Sequence, residues 1–323
     1  MSLTYTELES CTNDYFAADG KKAVDIYFNT SFLLNKFMKQ QGGLWERPNG
    51  GNKIRVPLEY DESEGGFFTR SDTLSSDDRE IVNAAEFLWK HVYGNATIYE
   101  IDEIKNAGVY AQVSLVTTKI SSAQKTATKH LAESIYDANG DTSKYLTGLG
   151  SMCSETAGTP YGGIEEEDLE ANDGTLPWEG KTTTTTEVIS LDVIRTLRTL
   201  AKLYDGKNGK PDFATTTEAL FNKIKSILQP MQRFTEDKET TKVGFTNLVF
   251  EGMLIAADDY SPSGYFNAIN SNHYGFAIHK KGYFKRAKWQ PLADKLGRTM
   301  KIVWHGNAIC NNRKSHARHS NLS

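Results

Sequence analysis

Cysteine is scarce in this chain. There are three among 323 residues, Cys11, Cys153 and Cys310, and none stands in a CxxC spacing. That excludes a disulfide-stapled scaffold and predicts free thiols in a reducing compartment. Long apolar runs are missing too, since none approaches the ~18 residues that a membrane span needs. The opening MSLTYTELES lacks the basic region and apolar core of a signal peptide. No membrane partner is expected. No GxSxG, P-loop, GxGxxG or HExxH occurs. Nothing in the sequence argues for an enzyme or a cofactor.

Charge of one sign is absent from particular stretches. Ser151 to Gly180 contains no Lys or Arg, while Glu155, Glu165, Glu166, Glu167, Asp168, Glu170, Asp173 and Glu179 are acidic. After Ser271 the balance reverses, with Lys280, Lys281, Lys285, Arg286, Lys288, Lys295, Arg298, Lys301, Arg313, Lys314 and Arg318 against Asp294 alone. The net charge of −4 therefore hides a segregated molecule. One half is expected to attract the opposite half of a neighbouring copy.

What the chain does have is a spine. From Val109 to Asp137, Val113, Val116, Ile120, Ala123, Ala127, Leu131 and Ile135 recur every three or four residues, which places them on one face of a helix. About 28 residues at ~1.5 Å each give a rod of roughly 40 Å. Asn139-Gly140 ends it. Lys119, Lys125, Lys129 and Glu133 are read as the opposite, solvated face.

Around this spine the reading is mixed. The first two dozen residues are polar and acidic, an arm that must lie on something else. Phe32, Leu33, Phe37 and Met38 after Asn29-Thr30-Ser31 predict a short amphipathic helix stopped by Gly42-Gly43. In Asn49 to Asp61, Ile54, Val56, Leu58 and Tyr60 alternate with Lys53, Arg55, Pro57 and Glu59, a strand that Pro57 confines to an edge or free ribbon. With a returning strand in Phe87 to Tyr99, it makes a long hairpin with a polar tip of about 20 residues, ordered by partners. Tyr99 to Ala107 reads as a short helix, and Gly148 to Pro177 as an irregular linker. Ser190 opens a helix through Tyr204, closed at Gly206. Pro211 to Ala214 fits a strand, and Thr215 with Glu218 a capping box for a helix to Leu228. Thr182 to Thr186, Val243 to Glu251, Met253 to Ala257, Tyr265 to Ile269, Phe276 to His279 and Thr299 to Cys310 favour extended chain. Without strict βαβ alternation the class is α+β.

The candidate chemistry is weak on its own terms. Glu165-Glu166-Glu167-Asp168 has no EF-hand spacing or His partner and reads as a solvated loop. Cys310, His316 and His319 match no zinc signature and read as part of a polar basic tail, so no metal site is expected. Lys119, Lys125 and Lys129 are read first as a solvated helix face, and more sharply as contacts to nucleic-acid phosphate. Basic residues among Tyr283, Phe284 and Trp289 fit either a nucleic-acid patch or a subunit contact.

Taken in order, several stretches resemble the major capsid proteins of tailed bacteriophages, the Hong Kong 97-type fold. They are Ser31-Phe32-Leu33-Leu34-Asn35-Lys36-Phe37, then Gly50 to Tyr60, then Ala84-Ala85-Glu86-Phe87-Leu88-Trp89-Lys90. Thr159-Pro160-Tyr161-Gly162-Gly163-Ile164, Trp178, Gln232-Arg233-Phe234, Gly244-Phe245 to Phe250, Asp258-Asp259-Tyr260 and Tyr265-Phe266-Asn267 follow.

The resemblance implies a shell subunit with no active site. It implies an N-terminal arm (1–48), an extended hairpin loop (49–99), a peripheral domain with the spine helix (100–149), an axial domain (150–259) and a return to the periphery (260–323). Copies would form hexamers and pentamers, closing an icosahedral shell around double-stranded DNA in the virion after synthesis in the host cytoplasm. A portal protein and a separate scaffolding or decoration protein would be partners. The spine would lie toward the interior and turn Lys119, Lys125 and Lys129 to the DNA. No long scaffolding segment precedes the arm in this reading, and no cross-linking set is identifiable, so assembly is expected to be non-covalent. An encapsulin-like compartment shares the fold and is the alternative. An enzyme using Glu165 or Glu167 of the acidic linker is the third reading, from another class.

Overall fold

The computed structural model describes residues 31–39, 50–74, 79–105, 115–156, 158–202, 209–228 and 247–323. The expected arm before Thr30, the Gly42-Gly43 stop, the spine before Leu115, the Gly206 stop and the stretches 232–234 and 244–245 lie outside the described residues.

In chain order the elements are α1 (Phe32–Lys39), β1 (Lys53–Glu59), β2 (Val82–Leu88), β3 (Lys90–Tyr99), α2 (Glu100–Lys105), α3 (Leu115–Tyr136) and α4 (Leu149–Met152). Then come β4 (Lys181–Thr183), α5 (Leu191–Leu200), β5 (Phe213–Thr216), α6 (Glu218–Leu228), β6 (Asn247–Phe250), β7 (Met253–Ala257), β8 (Phe266–Ile269) and β9 (Tyr274–Ile278). The chain ends with β10 (Lys285–Arg286), β11 (Gln290–Pro291), β12 (Gly297–Cys310) and β13 (Ala317–His319). These elements belong to two compact units, one of the described residues within 91–130 and 281–305, the other of those within 31–90, 131–280 and 306–323.

The larger unit is built on a six-stranded mixed sheet in the order β4-β13-β8-β5-β7-β6. Its inner strands β13, β8 and β5 are buried on both faces, so they lack polar alternation. Ala214, Ile255, Phe266, Ala268 and Ala317 pack with Ile194 and Leu197 of α5 and Leu220, Phe221 and Ile224 of α6. Phe213, one residue along β5, instead meets Phe37 of α1 edge to face at 5.4 Å, and Phe37 also meets Tyr274 and Phe276. Burying one such ring contributes ~1.5–3 kcal/mol.

Asp258 fixes the start of α1. Its Oδ2 accepts from Ser31 Oγ at 2.8 Å and from Leu33 N at 3.0 Å, and Oδ1 accepts from Tyr260 N. Ser31 Oγ in turn accepts from Leu34 N at 3.2 Å. A carboxylate at a helix N-terminus satisfies orphan N–H groups and the dipole together. The Asp258-Asp259-Tyr260 stretch thus has a structural role for its first acid.

The other helix starts divide. Ser190 caps α5 as expected, its side chain accepting from Val193 N at 3.3 Å. The capping box of Thr215 and Glu218 does not form. Thr215 is buried in β5, paired with Ala256 and Asn267, because the strand runs to Thr216 and α6 begins at Glu218. A β-branched threonine in a fully covered strand is worth more to the sheet than to a cap. The strand expected over Pro211 to Ala214 is shifted accordingly, and α5 ends at Leu200, before Tyr204.

In the smaller unit, Ala96, Ala123, Met300 and Ile302 form a compact cluster, with Ile120, Phe284 and Trp289 packed against it. The first part of β12 pairs with β10 and β11, and with β3. Gly94 is obligatory here. A Cβ on it would stand 1.9 Å from the carbonyl oxygen of Ala123 in α3. The seam of the spine is present in α3, with Ala123, Ala127, Leu131 and Ile135 buried.

Candidate functional site

The hairpin is a two-stranded ribbon. Lys53 to Glu59 pairs antiparallel with Leu88 to Val82, and Ile54, Val56 and Leu58 are buried between exposed residues. Pro57 opposite Ala84 is tolerated because, among the described residues, β1 has no second strand neighbour. Glu86 carries both Lys53 and Arg55. The returning strand is Val82–Leu88 rather than Phe87 to Tyr99. The aromatic and β-branched run that suggested the later span belongs to β3, where the chain stays extended after Trp89 but exchanges β1 for β12 as its neighbour. Between the strands, residues 62–74 are exposed throughout, including Phe67 and Phe68.

The acidic segment is not simply a solvated loop. Glu165, Glu167 and Asp168 are exposed, but Glu166 Oε1 accepts from Gly180 N and from Arg313 Nη2, both at 3.1 Å. Arg313 is completely buried. Its Nε donates to Met152 O at 2.9 Å, and its guanidinium lies over the rings of Tyr161 at 5.3 Å and Trp178 at 6.0 Å. Trp178 Nε1 donates to Tyr161 O at 3.0 Å, which fixes one wall of this cage. A buried cation needs a counter-charge and a full set of acceptors, and π faces supply part of the attraction. The acid and the arginine were not linked by sequence, since 147 residues separate them.

The C-terminal residues also depart from expectation. They are not a polar tail. Ala317–His319 is an inner strand of the sheet, parallel to β4 and antiparallel to β8. His316 Nδ1 accepts from Asn270 N at 3.1 Å, and Arg318 stacks on Tyr265 at 4.2 Å. Burial, with the nearby His273 adding to it, pushes His316 down to about 3. Burial likewise raises the Cys310 thiol and pushes Cys153 up to about 11, so neither is a reactive thiolate. Cys310, His316 and His319 do not assemble a metal site. Among the described residues no group of three or more His, Cys, Asp or Glu side chains does.

An open cleft of about 580 Å³ sits where β1 runs into the hairpin tip, lined by Glu59, Asp61, Glu62, Asp173, Asn312 and Lys314 among others. Hydrogen bonds from Thr175 hold Asp173 below the usual carboxylate range, so it is ionised and poorly matched to proton transfer near neutrality.

The three spine lysines do not form one line. Lys125 and Lys129 are half-buried and a single helical turn apart. Lys119 is exposed and, at ~100° per residue, about 120° around the helix from Lys125. Elsewhere in the same unit, one face of the β3–β12 ribbon is polar. Thr97 Oγ1 meets Thr299 Oγ1 at 3.2 Å and Asn95 Oδ1 accepts from Thr299 Oγ1 at 2.7 Å. Lys301 Nζ lies 6.0 Å from the Tyr93 ring centroid, and His91 Nδ1 stands 2.7 Å from His305 Nδ1. Ile101, Ile104 and Leu296 are exposed apolar side chains of the same unit. None of the described helices is long and apolar enough to cross a membrane.

No protein-family model matches the chain, and no curated protein matches it in sequence. Solved structures do. The chain is similar to the capsid asymmetric unit of cyanophage A-1(L), with a TM-score of 0.66 and 14% identity over 94% of this chain and 97% of that one. It is similar to the capsid of an empty GTA particle, with a TM-score of 0.63 and 8% identity over the whole of both chains. The holo-SrpI encapsulin complex from Synechococcus elongatus gives 0.59 and 9% over 100% of this chain and 97% of that one. At such identities the likeness is one of fold, and it extends end to end: the chain has the α+β Hong Kong 97-type capsid fold.

Proposed function

We propose that this chain is the repeating subunit of a shell, the major capsid protein of a tailed phage, and that it has no active site. The observation that carries the reading is the end-to-end likeness to capsid chains, beside which stands a hairpin whose tip leaves Phe67 and Phe68 exposed in this chain. An extended ribbon with exposed rings costs solvation and ordering entropy unless another copy covers it. Subunits in head-to-tail contact close into rings, and rings joined through such ribbons tile a surface.

On this reading hexamers and pentamers enclose double-stranded DNA in the virion, after synthesis in the host cytoplasm. The spine and hairpin belong to the peripheral domain, residues 150–259 to the axial domain and 260–323 to the return. A portal protein and a separate scaffolding or decoration protein complete the particle. Lys119, Lys125 and Lys129 meet packaged DNA without reading its sequence, as phosphate contacts do. Reversing all three charges is expected to lower packaged genome; unchanged packaging and particle stability would remove that assignment.

Negative-stain electron microscopy of the protein coexpressed with its neighbouring genes tests the whole reading. Closed shells or five- and six-fold rings support it, and a persistent monomer counts against it. A boiled denaturing gel of particles should show intact monomer, because no covalent cross-link is expected. The likeness to an encapsulin favours a second reading, a compartment that encloses protein cargo. The particle contents, DNA or enzyme, separate the two.

A further inference from the structure

We propose that His91 and His305 form a two-imidazole site for a late first-row divalent ion, copper(II) or nickel(II), on the polar face of the β3–β12 ribbon. The two residues are opposite one another. Six residues forward along β3 and six back along β12, Thr97 meets Thr299, so the pairs 91/305 and 97/299 share one antiparallel register and one face. The opposite face is apolar, with Ala96, Met300 and Ile302 in the core of the unit. The imidazoles are therefore anchored to a packed ribbon, while His91 itself is exposed and His305 half-buried.

The rings stand edge to face, with centroids 4.7 Å apart and an interplanar angle of 79°, and their Nδ1 atoms are 2.7 Å apart. In the metal-free protein one Nδ1 carries a proton and donates to the other. With that proton moved to Nε2, both Nδ1 lone pairs become available, and a small rotation of the rings lets one ion take both. The spacing also selects the ion. With metal–imidazole bonds of about 2.0–2.1 Å, adjacent nitrogens of a square-planar or octahedral ion stand ~2.9 Å apart, and those of a tetrahedral ion ~3.4 Å. The first needs a small opening of the pair, the second a much larger one. Copper(II) and nickel(II), which take square-planar or tetragonal nitrogen sites, fit better than zinc. Copper also leads zinc in intrinsic affinity. Water fills the remaining positions.

The second imidazole binds intramolecularly, at an effective concentration in the millimolar range or above. Losing either histidine should therefore cost at least about tenfold in affinity. The full chain is titrated with nickel chloride by calorimetry, and the copper(II) form is examined by electron paramagnetic resonance. One ion per chain with coupling to two nitrogens is expected, together with a melting temperature that rises with nickel concentration. His91→Ala and His305→Gln should each lose the tenfold and the rise in melting temperature, whereas His130→Ala and His279→Ala keep both. Metal-free melting of each variant shows that the ribbon is intact. Retained nickel affinity in either His91→Ala or His305→Gln, or coupling to a single nitrogen in the parent protein, would overturn the assignment.

Discussion

Residues 62–74 and 311–320 are both short, polar, charged runs, ESEGGFFTRSDTL in one case and NNRKSHARHS in the other. The first carries two phenylalanines and the second no aromatic residue except its histidines, so hydropathy alone would bury the first. The structure does the reverse. Residues 62–74 are exposed throughout, while Arg313 and residues 315–320 are buried. What separates them is the supply of partners. Arg313 finds Glu166, the Met152 carbonyl and two aromatic faces; His316 finds the Asn270 N–H; Arg318 finds Tyr265. The hairpin tip has local turns, such as Thr69 N donating to Asp72, and among the described residues no core covers Phe67 or Phe68. Burial here follows the supply of partners, not letters, and it tolerates incomplete pairing: Arg313 Nη1, His316 Nε2, Arg318 Nε and His319 Nε2 have no hydrogen-bond partner among the described residues.

The comparison breaks most visibly at Arg313. Arg313→Met keeps much of the volume but leaves Glu166 facing a neutral cage. Losing one member of a buried pair costs roughly 3–5 kcal/mol, read as a fall in the denaturant midpoint. A loss below 1 kcal/mol would show that the aromatic walls alone hold the C-terminal residues in place.

Acid should act next, through His316. Its unfolded value is 6.5 and its folded value about 3, so below pH 6.5 the unfolded chain takes up a proton that the folded chain refuses. Stability is therefore fully present above pH 6.5 and falls as the pH drops toward 3, by about 3 kcal/mol at pH 4. His316→Asn retains an acceptor for Asn270 N–H and removes the titration. The difference between the two stability–pH curves isolates this residue, and parallel curves would assign the acid loss elsewhere.

A smaller effect is expected at Gly180, beside the cage. A Cβ there would stand 2.6 Å from Arg313 Nη2 and from the Met152 carbonyl oxygen. Gly180→Ala should cost ~1–3 kcal/mol by overpacking, visible as a lower melting temperature. An unchanged value would mean that the backbone yields without loss.

Periodicity made much of this fold legible. The seam Ala123, Ala127, Leu131 and Ile135 and the alternation Ile54, Val56 and Leu58 were readable because each buries one face of one element. The ordered resemblance of short stretches carried the architecture. Local chemistry read less well. Thr215 looked like a cap because its spacing to Glu218 is right, and only the sheet shows that the strand needs it more. Glu166 looked like one acid among eight, and Cys310, His316 and His319 like a tail, because their partners lie far along the chain. His91 and His305, 214 residues apart, carry no sequence signal until β3 and β12 pair.

The hairpin tip gives the smallest effect on the chain and the largest on its assembly. Phe67 and Phe68 touch no core, so replacing both with serine should change the stability of the single chain by no more than about ±0.5 kcal/mol. If the rings are covered by a neighbouring copy, the same variant should form few or no closed particles, since each copy loses two apolar anchors at every repeated contact. Normal particles from the double variant would leave the exposed rings without a role in the shell. Loss of stability in the single chain would mean that the tip, like the C-terminal strand, has partners within its own chain. Assembly lost with stability intact is the outcome that distinguishes a surface waiting for a second copy from a core formed within one chain.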